Sequence, residues 1–291
     1  MKTIAVINGR SYRKKGDKNI KEAVSYIREK LGASVVFTDY ARHAEEIARR
    51  SSGRELIIAI GGDGTVHEIV NNMDINAQVL ALIPLGTGNS LTRDLGIRSA
   101  RSAIGIIERG KASSIDLIKC EIKAAGNWIM RYAVTTTGLG FVSDSVIIAC
   151  KYFRPLNALC YTAGAICALF TQKKVTADIE ADGVSLGNVR FTGLMVNNSA
   201  YAGNFRVFPR ASLNDSSLDI LIADVNPFSQ LLHNIGILTE TYFHFSGVER
   251  KARALNVKMD RPAPFMIDGE IFDSVTELKY TVMPKRLKIL C

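Results

Sequence analysis

The chain has 291 residues, with 37 Lys and Arg against 28 Asp and Glu, a formal net charge of +9 and 47% apolar residues. This length suits about two domains of roughly 100–200 residues each, and the composition excludes a disordered or low-complexity chain. The surplus positive charge serves solubility or an anionic partner, whether phosphate, nucleic acid or an acidic membrane surface.

The opening MKTIAVINGR runs into a strand pattern and carries no signal-peptide core, so a cytoplasmic protein is expected. Thr3–Ile7 predicts a short buried strand, Lys18–Leu31 a helix, Ser34–Thr38 a second strand and Ala41–Arg50 a second helix. Glu55–Ile60 predicts a third strand, followed by a Gly-rich turn and a helix over about Thr65–Met73. Gln78–Ile83 predicts a fourth, followed by another Gly-rich turn and a helix at Ser90–Leu95. This alternation argues for a parallel sheet covered by helices.

Beyond about residue 120 the rhythm changes. Trp128–Thr136, Val175–Ala181, Val189–Val196, Leu218–Ala223, Ala252–Met259 and Val275–Val282 predict strands, with Asp182-Gly183 as a tight hairpin turn. Helical patterns near Phe141–Phe170 and Phe228–Phe243 are the exceptions. The expected organisation is an α/β domain over 1–121 and a mainly antiparallel β domain over 122–291, with the boundary near Lys119–Lys123. The longest apolar run, Ala158–Phe170, is too short for a spanning helix of about 20 residues. Cys120, Cys150, Cys160, Cys167 and Cys291 are odd in number and hold no CxxC pair, which suggests reduced thiols.

The strongest chemical signal is Gly61-Gly62-Asp63-Gly64-Thr65, placed after an apolar strand and opening a helix. Glycines let a backbone approach phosphate oxygens, and the N–H groups of a helix start point at them. Asp63 repels phosphate, so its expected task is to hold Mg²⁺ or to orient the reacting hydroxyl. A second turn, Pro84-Leu85-Gly86-Thr87-Gly88-Asn89, stands at the same edge of the sheet, where open α/β sheets bind ligands. Asn89 either caps the next helix or touches the nucleotide.

IGGDGTVHEIVNN followed by ALIPLGTGNSLTRDLG resembles the diacylglycerol kinase catalytic-domain family, which includes bacterial diacylglycerol kinase-like and sphingosine kinase-like lipid kinases. Thr38, Ser114–Leu117, Tyr201–Gly203, Pro209–Ala211 and Asp268-Gly269-Glu270 match its further landmarks, so the resemblance covers most of the chain. It implies an NAD-kinase-like α/β nucleotide-binding domain, a C-terminal domain like a β-sandwich, and last residues that return to the first domain. It implies an active site between the domains, with ATP and Mg²⁺ as cofactors. Asn8, Thr38, Gly61, Gly62, Asp63, Gly64, Thr65, Glu68, Gly86, Thr87, Gly88 and Asn89 match nucleotide-side positions. For Glu68 a capping or solvated carboxylate is the alternative. Glu270 matches the general base, with Asp268 beside it and Asp63 completing the catalytic acids. Ser212–Ser217 matches a stretch that holds a structural Mg²⁺ in some members, through Asp215 and backbone oxygens near Ser212 and Ser217. A polar turn is the alternative there.

The chain departs from the family at Asn8-Gly9, where Gly replaces Pro, at Tyr12 where a Gly is usual, at Ser90 where Asp is frequent, and at Ser216 after Asp215. The expected function is transfer of the γ-phosphate of ATP to a lipid hydroxyl, with peripheral contact to an anionic membrane and a homodimer as further possible partnerships. An NAD kinase is the enzymatic rival, but its Thr-Pro-Thr-Gly-Ser segment has no match beyond Thr135-Thr136-Thr137-Gly138. A non-catalytic nucleotide- or lipid-binding regulator is the other, and retention of Asp63 and the DGE acids argues against it. Nucleic acid is not an expected partner, since aromatics are not interleaved with the basic residues.

Overall fold

The computed structural model describes residues 2–153, 156, 159–203, 205–224, 226 and 247–291. The chain divides into two compact units: the residues up to Leu117 with Pro284–Cys291, and Ile118–Met283.

The first unit holds β1 (Thr3–Ile7), α1 (Gly9–Lys15), α2 (Lys18–Glu29), β2 (Ser34–Phe37), α3 (His43–Arg49), β3 (Leu56–Gly61), α4 (Asp63–Val70), β4 (Val79–Pro84), α5 (Ser90–Asp94) and α6 (Ala100–Arg109). Its sheet runs β2-β1-β3-β4 and every pairing is parallel, with Ile4 opposite Ser34 and Ile57, and Ile57 opposite Leu80. All of β1 and β3 is buried, as expected for parallel strands covered on both faces. Helix α2 lays Ile20, Ala23, Val24 and Ile27 on the core, one stripe at helical spacing, and Asp17 caps its start. Residues 9–15, for which the sequence predicts no element, are helical. Their first turn is fixed by the Asn8 side chain, which accepts from Ser11 N at 2.8 Å. Helix α6 is closed by a Ser99–Ser102 capping box and by Gly110 at φ 61°.

β5 (Ala112–Ala124) carries the chain into the second unit. There follow β6 (Asn127–Ala133), β7 (Thr136–Gly140), α7 (Phe141–Tyr152), α8 (Cys160–Thr171), β8 (Val175–Ala181), β9 (Val184–Phe191), β10 (Gly193–Asn197), β11 (Tyr201–Ala202), β12 (Phe205–Arg206), β13 (Leu218–Ala223), β14 (Gly247–Ala252), β15 (Ala254–Ile267) and β16 (Glu270–Leu290). Strands β14-β13-β10-β7-β15 pair antiparallel in that order, and β15 also pairs with β8 and the first part of β16. One core gathers Ile118, Leu139, Phe191, Leu194, Phe265, Leu278 and Tyr280. A second, with Phe141, Leu169, Met195, Phe208 and Leu221, packs α7 and α8 against the sheet.

The Asp182-Gly183 hairpin is present, with φ of 50° and 79° at the turn. Val189–Val196, expected as one strand, breaks at Thr192, whose N–H and hydroxyl both donate to Ala223 O at 2.9 and 3.1 Å. Ala252–Met259 likewise breaks at Arg253, where Asp182 Oδ1 accepts from Arg253 N and Ala254 N, each at 2.8 Å. The pattern at Phe228–Phe243 lies outside the described residues. No helix among the described residues is long and apolar enough to cross a membrane. The end of β16 returns to the first unit, where Ile289 pairs parallel with Leu80.

Candidate functional site

The ends of β1, β2, β3 and β4 bring most of the expected nucleotide residues into one connected set within the first unit. Asn8 follows β1; its N–H donates to Ile60 O at 2.9 Å, and its Nδ2 donates to Thr65 Oγ1 at 3.2 Å. Thr38 follows β2 and accepts on Oγ1 from Gly9 N at 3.2 Å. A Cβ on Gly9 would lie 2.3 Å from Thr38 O, so the residue after Asn8 must be glycine for this approach. That is the local reason a Gly stands where the family pattern has Pro.

Gly61 closes β3 and Gly62 is the residue before α4, whose first turn is Asp63-Gly64-Thr65. The positive end of the helix dipole therefore faces whatever lies before that turn, within which Thr65 N donates to Gly62 O at 3.0 Å. The second turn packs against the first backbone to backbone. A Cβ on Gly86 would lie 2.4 Å from Gly62 Cα, and one on Gly62 would lie 2.9 Å from Gly86 Cα. Thr87 and Gly88 stay partly exposed beyond this contact, and Gly64 is exposed.

Asn89 occupies the left-handed region at φ 53°. Its Oδ1 accepts from Gly86 N at 3.0 Å and its Nδ2 donates to Gly86 O at 3.1 Å, while its side chain makes no capping bond to α5. It is thus a staple across the turn rather than a helix cap. Asp63 is partly exposed and accepts on Oδ2 from the Ser90 hydroxyl at 3.2 Å. Ser90 is 2% exposed, so its hydroxyl is held on that carboxylate by packing.

Glu68 is turned to another task. Its carboxylate accepts from Ala44 N at 3.2 Å, at the start of α3, where Arg42 offers no side-chain cap. Burial pushes the Glu68 carboxyl up, against the lowering effect of the Ala44 and Arg42 N–H groups. His67 is buried with Asn71 beside its ring, a core histidine.

In the second unit, Asp268-Gly269 turns the chain from β15 into β16, with φ of 47° and 96°. The Asp268 carboxylate is 8% exposed. Oδ1 accepts from Thr135 N at 3.0 Å, Thr135 Oγ1 at 2.7 Å and Thr136 N at 2.9 Å, and Oδ2 accepts from Val134 N at 2.8 Å. Its own N–H donates to Thr136 O at 2.8 Å. A carboxylate committed in this way holds the backbone ahead of β7 rather than collecting a proton. Glu270, the first residue of β16, keeps a side chain 27% exposed, with its Oε2 3.6 Å from Arg131 Nε. The Arg131 guanidinium also lies over the Phe272 ring at 5.8 Å.

The stretch expected to hold a structural metal shows a different arrangement. Ser212 Oγ donates to Asn214 Oδ1 at 2.9 Å, and Ser217 N donates to Asp215 Oδ1 at 3.1 Å. Asp215 Oδ2 is 2.5 Å from Lys251 Nζ, which is also 3.3 Å from Asp219 Oδ1. Burial pushes the Asp219 carboxyl up to about 6, with the Lys251 charge opposing it. Among the described residues no group of three or more His, Cys, Asp and Glu could hold a metal ion. Arg131, Asp219 and Lys251 stand in no sequence motif, and Ser90 stands in the second glycine-turn stretch. Only Ser90 had a signal, as a departure from a familiar pattern.

Residues 2–120 match the diacylglycerol kinase catalytic domain, and residues 136–291 match the YegS C-terminal NAD kinase beta sandwich-like domain. A diacylglycerol kinase of Staphylococcus aureus is 27% identical over 256 residues, covering 86% of this chain and 76% of its own. Among solved structures, a diacylglycerol kinase from Bacillus anthracis str. Sterne shares the fold at a TM-score of 0.76 and 19% identity, over 99% of this chain and 96% of its own. An NAD kinase from Archaeoglobus fulgidus in complex with ATP shares it at 0.56 and 14% identity, over 100% of this chain and 94% of its own.

Proposed function

The chain belongs to the diacylglycerol kinase catalytic-domain family, and from that premise we propose that it moves the γ-phosphate of ATP to the hydroxyl of a lipid. The observation that carries this reading is the backbone contact of Gly62 with Gly86. It sets two glycine turns side by side at the ends of β3 and β4, with Asn8, Thr38 and Thr65 bonded in beside them. The contact requires glycine on both sides, and the pair of turns it holds together suits a triphosphate laid against peptide N–H groups.

Phosphoryl transfer asks chiefly for positioning and charge neutralisation. Gly61, Gly62, Gly64 and Thr65 supply the first turn, and Gly86, Thr87 and Gly88 the second, with Asn89 keeping the latter closed. The donor set fits a hard cation at Asp63, a partly exposed carboxylate oriented by Ser90. Bound there with the nucleotide, Mg²⁺ would neutralise charge on the phosphate oxygens. Glu270 accepts the proton of the lipid hydroxyl on its partly exposed carboxylate, and Asp268 holds the turn from which Glu270 projects. A lipid acceptor lives in a bilayer, so contact with an anionic membrane surface is peripheral and is favoured by the charge of +9.

The test is transfer of labelled γ-phosphate from ATP and Mg²⁺ to detergent-dispersed lipid alcohols, with NAD in parallel. Label in a lipid is the expected result. Label in NAD would replace the reading with its enzymatic rival. No label anywhere, from folded protein that still binds ATP, would leave a binding protein.

A further inference from the structure

The second unit carries an ion cluster that the kinase reading does not use. Strands β13 and β14 pair so that Asp219 lies directly opposite Lys251. The Lys251 ammonium bridges Asp219 Oδ1 at 3.3 Å and Asp215 Oδ2 at 2.5 Å, and Asp215 belongs to the turn that leads into β13. This is the turn for which the family resemblance implies a structural Mg²⁺.

The residues present do not fit that ion. Mg²⁺ demands near-octahedral oxygen coordination at about 2.0–2.1 Å, usually completed by waters. Of the Asp215 oxygens, Oδ1 accepts from Ser217 N and Oδ2 is on the ammonium. The Ser212 hydroxyl donates to Asn214 Oδ1. A divalent ion on Asp215 Oδ2 would meet the ammonium at the same oxygen, where like charges repel.

We propose that Lys251 is the resident cation of this site, a side-chain charge standing where the family resemblance implies a metal, so that the second unit folds and holds its shape without divalent ions. The physical need is set by Asp219. Its side chain is 7% exposed and its Oδ2 is buried with no hydrogen-bond partner. A carboxylate that buried requires a counter-charge, and Lys251 supplies it. Lys251 itself keeps 44% exposure, so the Asp215 half of the cluster is partly screened and Asp219 carries most of the effect. The same ammonium ties β14 to the turn at Asp215, a link beyond the strand ladder.

The proposal does not depend on the kinase reading, and its readout is thermal unfolding, not turnover. The full chain is unfolded without nucleotide, in EDTA and across a MgCl₂ titration to about 10 mM. An Asp63→Ala background removes the carboxylate assigned to the nucleotide's metal. With Lys251 present, the midpoint is expected to stay constant throughout. Lys251→Met should lower it by about 5 °C or more, because a buried carboxylate loses its partner, and Lys251→Arg should restore most of the loss. A saturable rise with Mg²⁺ while Lys251 is present would overturn the proposal, as would an unchanged midpoint in Lys251→Met. The titration with Lys251 in place decides the matter alone if the Met variant fails to fold.

Discussion

Asp268→Asn separates holding from chemistry in the DGE turn. The amide oxygen can take the place of Oδ1 and keep three donors, Thr135 N, Thr135 Oγ1 and Thr136 N. The amide nitrogen then faces Val134 N, where Oδ2 accepts at 2.8 Å, and two donors meet. Losing that charge-assisted bond costs about 1.5–3 kcal/mol. The three remaining bonds weaken as well, because charge-assisted bonds are roughly twice as strong as neutral ones. The sum is on the order of 3–5 kcal/mol, which at about 2–4 °C per kcal/mol for a unit of this size lowers the melting midpoint by on the order of 10 °C. Differential scanning calorimetry measures the shift, and activity at a temperature well below the new midpoint measures what remains. Most of the activity should survive there. A midpoint within about 2 °C of the parent, together with a rate loss of about 10³-fold, would refute the holding role and make Asp268 a chemical participant.

Glu270→Gln should leave ATP affinity nearly intact in a binding titration while slowing turnover by about 10²–10⁴-fold, the usual contribution of a general base; a loss below about tenfold would move the base elsewhere. Gly86→Ala forces a methyl to 2.4 Å from Gly62 Cα. Separating the two turns by about 1 Å should cost about 1–3 kcal/mol and lower kcat/KM for ATP by roughly 5- to 150-fold, read in steady-state kinetics over a range of ATP. Glu68→Gln keeps an acceptor for Ala44 N and should change the KM for ATP by less than about twofold. Glu68→Ala should cost about 1 kcal/mol of stability as a lost cap, measured by urea denaturation, again without a change in that KM.

Much of the first unit is legible in its sequence because strands buried on both faces must be apolar throughout. LIIAI and VLALI can therefore be little else. The two glycine turns are legible for a related reason, since the backbone contact they make tolerates no side chain. Helix α1 is not legible: GRSYRKK has no apolar stripe, and its helicity depends on the Asn8 cap and on Gly9 fitting beneath Thr38 O. Residues 100–109 carry no predicted element, although Ser99 and Gly110 mark both ends of the helix there. The break at Thr192 has no local signal, because Ala223 supplies it from 31 residues away. In the candidate site the same distance effect recurs. Asp268 belongs to a recognisable motif, yet its task is set by backbone N–H groups 132 to 134 residues earlier in the chain. Lys251 lies 36 residues from Asp215, in no motif at all.

The return of β16 to the first unit orders the protein in time as well as in space. Leu287, Ile289 and Leu290 are buried, and Ile289 pairs with Leu80 at the side of β4 away from β3. A ribosome makes these residues after every residue of the second unit. During synthesis the first unit therefore waits with the β4 edge unpaired, an invitation to stray strand pairing, while the second unit can already close. The two glycine turns emerge early, but the sheet that carries them is completed only by a strand made after the whole second unit.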